Sequence, residues 1–234
     1  MFANACATNR EAIYGLLASS PLKPQGVTAS NGSAFMVAEG FLITAAHCVH
    51  RDTDPSKPLH QKFELIRAPD IGRKMEIATL VAEDIKRDLA LLRIDKPRST
   101  ACLKMLKVAV PRGTACGSLG FPLAHVAFTT QRISFNLFER FQGANISALV
   151  TATDRQGNTF TFYETDSLMY GGSSGCPGFV ESGEVFGMHN RSAIDPPKQG
   201  EKASQTADRT RLAISMWVTS SDVVAFAAAH GVAL

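Results

Sequence analysis

The sequence predicts an all-β protein, either a sandwich or a pair of barrels, and three observations carry that expectation. Short apolar runs rich in β-branched and aromatic residues recur along nearly the whole chain of 234 residues. Turn-forming residues separate them at close intervals, as in β sandwiches and barrels. Helical spacing is confined to the two ends. With 45% hydrophobic and 19% charged residues, the composition is that of a chain able to bury a core.

The elements follow in order. Residues 9–18, NREAIYGLLA, predict a short amphipathic helix, which PLKPQG then breaks. A first set of strands reads SAFMVA, FLIT, KFELIRA, MEIATLVAE and LALLRI, with Glu39-Gly40 as a tight hairpin turn between the first two. Residues 96–114, KPRSTACLKMLKVAVPRGT, carry proline near both ends and little alternation, which marks a connector. The second set reads ACGSLGF, VAFTTQRISF, NISALVTAT, TFTFYET, GFV, EVFGMH and LAISMWV. Turns at Arg155-Gln156-Gly157-Asn158 and Glu181-Ser182-Gly183 separate some of these. Ser220 or Ser221 is expected to cap a final helix in SSDVVAFAAAHG that ends at Gly231. The polar stretch 191–210 has almost nothing to bury and reads as a long loop, of the kind that serves as a lid or stays disordered. The organisation expected is a helix and lead-in over 1–26, one half over 27–105 and a second over 106–234.

Several function classes lose support at once. A formal charge of +3 with no basic stripe among aromatics argues against nucleic acid as a partner. No apolar run approaches the ~20 residues needed to cross a bilayer, so no membrane association is expected. The N-terminus MFANACATNREAIYGLL lacks a basic start followed by an apolar segment, which argues against a secretory leader and for the cytoplasm. Five cysteines (Cys6, Cys48, Cys102, Cys116, Cys176) at irregular spacing then read as free thiols.

Three stretches can carry chemistry. GGSSGCPGF, residues 171–179, sets two serines and a cysteine in a glycine turn, where bare backbone N–H groups can face a developing negative charge. FLITAAHCVH places His47 where an apolar strand ends among small residues, and RDLALLRID places Asp88 at the start of another. A serine nucleophile needs just such companions: a base, and an acid that fixes the base's tautomer. Taken singly, His47 reads equally well as a satisfied core histidine and Asp88 as a strand-end cap. His47-Cys48-Val49-His50 also carries zinc-ligand types, but no second ligand pair stands at metal-like spacing, so neither a metal nor another cofactor is expected.

TAAHC, DLALL and GSSGCP together resemble the three signature segments of the chymotrypsin-like (trypsin-fold) serine peptidases, in that family's order. The resemblance runs from about residue 27 to 228. It implies two antiparallel Greek-key β-barrels with the active site between them, short helices at each end, and a serine endopeptidase acting on a peptide or protein substrate. Carried over, Ser174 is the nucleophile, His47 the base and Asp88 its orienting acid, with the backbone N–H groups of Gly172 and Ser174 as the oxyanion hole. Ser173 stands where the family often has Asp or Asn, and Cys176 falls two positions too late to attack. Relatives commonly pair the cysteine at position 48 with one upstream; ASNGSAFMVA has none, so Cys48 is expected as a buried thiol. The Ile/Val-rich N-terminus that many secreted relatives free by cleavage is not recognisable, which brings the chain nearer to bacterial and viral branches and suggests a bacterial source. It also leaves room for an activating partner protein or for control by the 191–210 loop.

The same resemblance frames the specificity. Leu168 stands where Arg- or Lys-specific relatives carry Asp, with Asp166 close by in the sequence. EVFGMHNR resembles the Gly-x-His strand of glutamyl endopeptidases and of viral proteases that cut after Glu or Gln. Strand alternation puts Val185, Gly187 and His189 on one face, with Gly187 leaving space beside a substrate-reading His189. Met169 stands where glutamyl endopeptidases usually have a hydroxyl residue, so Leu168 and Met169 offer an apolar pocket as the alternative. The rival to catalysis is a partner-activated or non-catalytic peptide-binding protein of the same fold.

Overall fold

The structure, a computed structural model, describes residues 2–21, 26–128, 133–153, 156–194 and 211–234. A short helix α1 (Ala3–Asn9) leads into β1 (Ile13–Pro21). There follow β2 (Val27–Ala38), β3 (Phe41–Ala45), β4 (Lys62–Arg67), β5 (Glu76–Asp84) and β6 (Leu89–Arg93). These six strands close into an antiparallel barrel in the order β1-β2-β3-β6-β5-β4. The second half holds β7 (Ala115–Gly120), the separate hairpin β8 (His125–Phe128) and β9 (Ile133–Asn136), then β10 (Arg140–Thr153) and β11 (Thr159–Thr165). It is completed by β12 (Pro177–Val180), β13 (Val185–Ile194), β14 (Arg211–Thr219) and the helix α2 (Ser220–Ala229). Its barrel closes in the order β10-β11-β14-β13-β12-β7. The all-β double barrel with short terminal helices is therefore the architecture of the chain.

Several local expectations move. The helix expected over 9–18 is displaced to Ala3–Asn9, and Ile13–Pro21 is a barrel strand. Ile13 to Ser20 are all buried, so neither face alternates with polar residues. A strand covered on both faces has no period of two and imitates a helical segment in sequence. The span 1–26 thus contributes a full strand to the first barrel. At the other end the cap of α2 is Thr219, whose side chain accepts from the Asp222 N–H, one residue ahead of the expected Ser220. Residues 191–194 of the polar stretch extend β13, while 195–210 lie outside the described residues, as does Arg155 of the expected turn. The run VAFTTQRISF becomes the β8–β9 hairpin, with 129–132 outside the described residues.

The connector and the N-terminus both join the barrels. The 96–114 stretch crosses between them with no strand of its own beyond a bridge from Met105 to Val185, fastened by Leu103 N–H to Met36 O and Leu106 N–H to Val185 O. At the N-terminus Phe2 packs on Phe141 and Phe179 of the second barrel, with ring centroids 5.5 and 6.1 Å away, while β1 belongs to the first. The second barrel is filled by Phe186, Trp217 and Tyr163 in edge and tilted contact at 5.4–5.5 Å, arrangements that aromatic rings prefer. No helix among the described residues is long and apolar enough to cross a membrane.

Candidate active site

His47 is delivered by β3, whose apolar residues are locked between β2 and β6, and sits in the 3-10 turn Ala46–Val49 that ends that strand. Asp88 stands at the foot of β6 in a left-handed conformation (φ 58°), uncommon for a residue with a side chain. Three bonds tie the two together. Ala46 N–H donates to the Asp88 carbonyl (3.1 Å), His47 N–H to Asp88 Oδ1 (2.9 Å), and the His47 ring faces Asp88 Oδ2 through Nδ1 at 2.8 Å. A carboxylate can only accept, so Nδ1 carries the proton and the neutral ring keeps Nε2 as its acceptor. Burial works against charge on this ring; the Cys48 sulfur and the Asp88 carboxylate work for it, and the balance raises the His47 pKa above its usual 6.5.

The GGSSGCP turn lies between β11 and β12. Ser173 N–H donates to Tyr170 O, Cys176 N–H to Ser173 O and Gly175 N–H to His189 O. The N–H groups of Gly172 and Ser174 donate to no acceptor among the described residues. Gly172 and Gly175 both have positive φ (92° and 86°), and a Cβ on either would strike backbone oxygen, of Phe121 and Ser33 respectively. Of the two serines, Ser173 is fully buried with its Oγ unpartnered, whereas Ser174 is half-buried and lines the cleft. Cys176 is buried and its thiol pKa is pushed up by that burial, and Cys48 is buried against the Ser174 carbonyl with Sγ at 3.8 Å. All five cysteines are free thiols.

A cleft of about 600 Å³ brings His47, Asp88, Ser174, His189 and Met169 together. Leu168 and Gly187 are not among its walls. The Leu168 carbonyl accepts from Gln142 Nε2 (3.0 Å), and the space a Cβ on Gly187 would need is taken by Val218 O at 2.5 Å. Gly187 is therefore small for the packing of β13 on β14. Asp166 is spent at the exposed end of β11, accepting from the Asn145 backbone and side-chain amides, which hold its pKa below the usual value. His189 is buried on β13 with its ring edge-on to Trp217 at 5.1 Å. His50 turns away from His47, with Nδ1 on Lys57 O and Nε2 on Glu83.

Sequence reasoning missed Ser33. This fully buried residue of β2 donates from Oγ to Gly172 O (2.8 Å), accepts on Oγ from Phe121 N–H (3.0 Å), and donates its own N–H to Ser174 O (2.8 Å). It thereby pins the Gly172–Ser174 turn of one barrel to a strand of the other. The only sign in the sequence was a small polar residue opening the run SAFMVA. The reading also passed over Lys86, Tyr170 and Arg191, which line the cleft.

A profile described as the trypsin-like peptidase domain matches residues 32–188. Compared directly with the curated proteins, the sequence matches none. Among solved structures the chain is similar to the Rv3671c protease of M. tuberculosis in its active form, at 18% identity and a TM-score of 0.69, covering 98% of this chain and 85% of that one. The inactive form of the same protease aligns at 16% identity and a TM-score of 0.67, covering 97% and 93%. At such identities these two likenesses speak for the fold.

Proposed function

The chain belongs to the trypsin-like peptidases and is a serine-type hydrolase of peptide or protein substrates, and from that premise we propose that it is an endopeptidase working through Ser174, His47 and Asp88. The observation that carries this reading is the Asp88 carboxylate holding His47 Nδ1 at 2.8 Å in a cleft that Ser174 also lines. His47 Nε2 takes the Ser174 proton as Oγ attacks the scissile carbonyl, and Asp88 stabilises the imidazolium that forms. The unspent N–H groups of Gly172 and Ser174 receive the oxyanion. Collapse passes the His47 proton to the leaving amine and leaves an acyl-enzyme, which water cleaves by the same relay in reverse.

His189 reads Glu or Gln before the scissile bond; its place in the cleft supports this. A neutral ring donates to a glutamine carbonyl oxygen, and a protonated one pairs with glutamate. A second reading, apolar specificity, is favoured by Met169, Phe162 and Tyr170 in the same walls. An activating partner protein belongs to the proposal as well; one structurally similar protease is known in both an active and an inactive form.

Cleavage-site profiling on a proteome-derived peptide library, with Ser174→Ala in parallel, tests the whole reading. Cleavage lost in Ser174→Ala and concentrated after Glu or Gln is the expected result. Ser174-dependent cleavage after Leu, Phe or Met replaces the His189 reading with the apolar one. Failure of a fluorophosphonate probe to label Ser174 in the wild type favours the peptide-binding alternative.

A further inference from the structure

The cleft walls carry an imbalance of charge that the catalytic groups leave unused. Among the described residues two permanent cations line them, Lys86 and Arg191, against a single carboxylate, Asp88. Asp88 is committed to the backbone and ring of His47. The nearest carboxylates on β5 are committed as well. Asp84 accepts from Lys86 N–H, Arg87 N–H and the Arg87 guanidinium, and Glu83 accepts from His50. Asp52 and Asp54 flank Thr53 in sequence, but Thr53 and Pro55 line the cleft and the two aspartates do not. Among the described residues neither Lys86 nor Arg191 has a carboxylate partner.

The local structure explains why these two reach the cleft. Within the turn that ends β5, Arg87 is drawn away from it by Asp84 and by Asp222 of α2. Its neighbour Lys86 is left exposed beside Ile85, another cleft residue. On β13 the pairing with β14 slips between His189 and Arg191. Such a bulge re-aims the side chains that follow it, and Arg191 emerges exposed two residues beyond His189. Among the described residues its only side-chain bond runs from Nε to the Met216 thioether at 3.4 Å, a weak acceptor, which leaves the paired Nη donors of the fork for a carboxylate. Ile85, Phe162 and Tyr170 line the same cleft, and low-dielectric walls strengthen the field of a charge beside them.

We propose that Arg191 and Lys86 form an anion-reading subsite, separate from the His189 position, that selects acidic peptide segments by their Asp or Glu side chains near the scissile bond. The proposal rests on the peptidase reading for its substrate class, but it concerns binding and can be tested apart from catalysis. The two cations come from different barrels, β13 and the turn ahead of β6, so a segment laid along the cleft meets both.

The test uses the full chain as Ser174→Ala and a fluorescein-labelled decapeptide of Glu, Ala and Leu, beside versions with Gln or Lys in place of Glu, read by fluorescence anisotropy. The Glu peptide is expected to bind about 10-fold more tightly than the Gln peptide at low salt, a gap that shrinks at high salt. The added change Arg191→Gln with Lys86→Gln is expected to reduce the gap to about 2-fold or less, and Arg191→Glu to turn the preference toward the Lys peptide. Thermal melting of each variant separates these effects from misfolding. Equal binding of the Glu and Gln peptides, or a gap that survives in a folded double variant, overturns the subsite. Fluorophosphonate labelling of the wild type tests the other premise: an unlabelled Ser174 with the binding gap intact sinks the catalytic reading and leaves the acidic-segment subsite standing.

Discussion

The pairing of His47 with Asp88 sets the chemistry available at a single residue. Because the folded protein holds the His47 pKa above 6.5, kcat/KM should rise with pH through that raised value, the base being useful only when neutral. Removing the charge in Asp88→Asn should lower turnover about 10⁴-fold, as expected when the wrong tautomer is held. It should also move the acid limb of the profile to lower pH, since one of the groups that favour the charged ring is gone. A pH–rate profile for both proteins checks this; an unshifted limb would remove Asp88 from the role. Linkage gives the matching sign for stability. A folded-state pKa above the unfolded one contributes stability that is fully present below about pH 6.5 and is lost as pH rises through the folded value. That His47, Asp88 and Ser174 share one cleft was legible in the sequence because all three stand in short motifs at strand ends or in a glycine turn. Ser33 was not, since a serine inside a strand carries no signal until its three partners are seen.

At the scale of elements, the turn GGSSGCP was legible and the strand β1 was not, for related reasons. The turn needs glycine where φ is positive and a carbonyl crowds the missing Cβ, so its backbone conformation is written in its composition. Gly175→Ala should therefore abolish fluorophosphonate labelling of Ser174, because the added methyl meets Ser33 O and the left-handed backbone at once. Gly157→Ala is the control. It has the same sign of φ (84°) with nothing within 4 Å of the added atom, so it should cost only about 1 kcal/mol of backbone strain. Equal loss of labelling in both would show that the turn does not depend on this contact. The β1 strand hides because burial on both faces erases its alternation. Gly187 lies between the two cases. Its place beside His189 suggested room for substrate, whereas Val218 O occupies that room. Gly187→Ala should thus lower the melting temperature, by overpacking worth about 1–3 kcal/mol. A changed cleavage preference with an unchanged melting temperature would restore the pocket role.

For the whole molecule, the double barrel was legible through the order of three motifs, yet motif order says nothing of how one barrel grips the other. Ser33 is the point where that grip and the chemistry coincide. Its Oγ and N–H hold Gly172 O and Ser174 O, the carbonyls of the two residues whose N–H groups are unspent, while Phe121 N–H donates to the Oγ in return. Ser33→Ala removes the hydroxyl and leaves a buried carbonyl and a buried amide unpaired, a loss of about 1–3 kcal/mol. The only tryptophan, Trp217, is buried in the second barrel, so urea unfolding followed by its fluorescence reports that barrel directly. The midpoint should fall, and in the folded variant the labelling of Ser174 by fluorophosphonate should slow, because the turn keeps only the Ser33 N–H bond to Ser174 O and loses the hydroxyl that holds Gly172 O. A lower midpoint with wild-type labelling would make Ser33 a packing residue alone. Both effects together would mean that the second barrel's site is shaped by the first, so that catalysis requires the two halves in register and not merely folded.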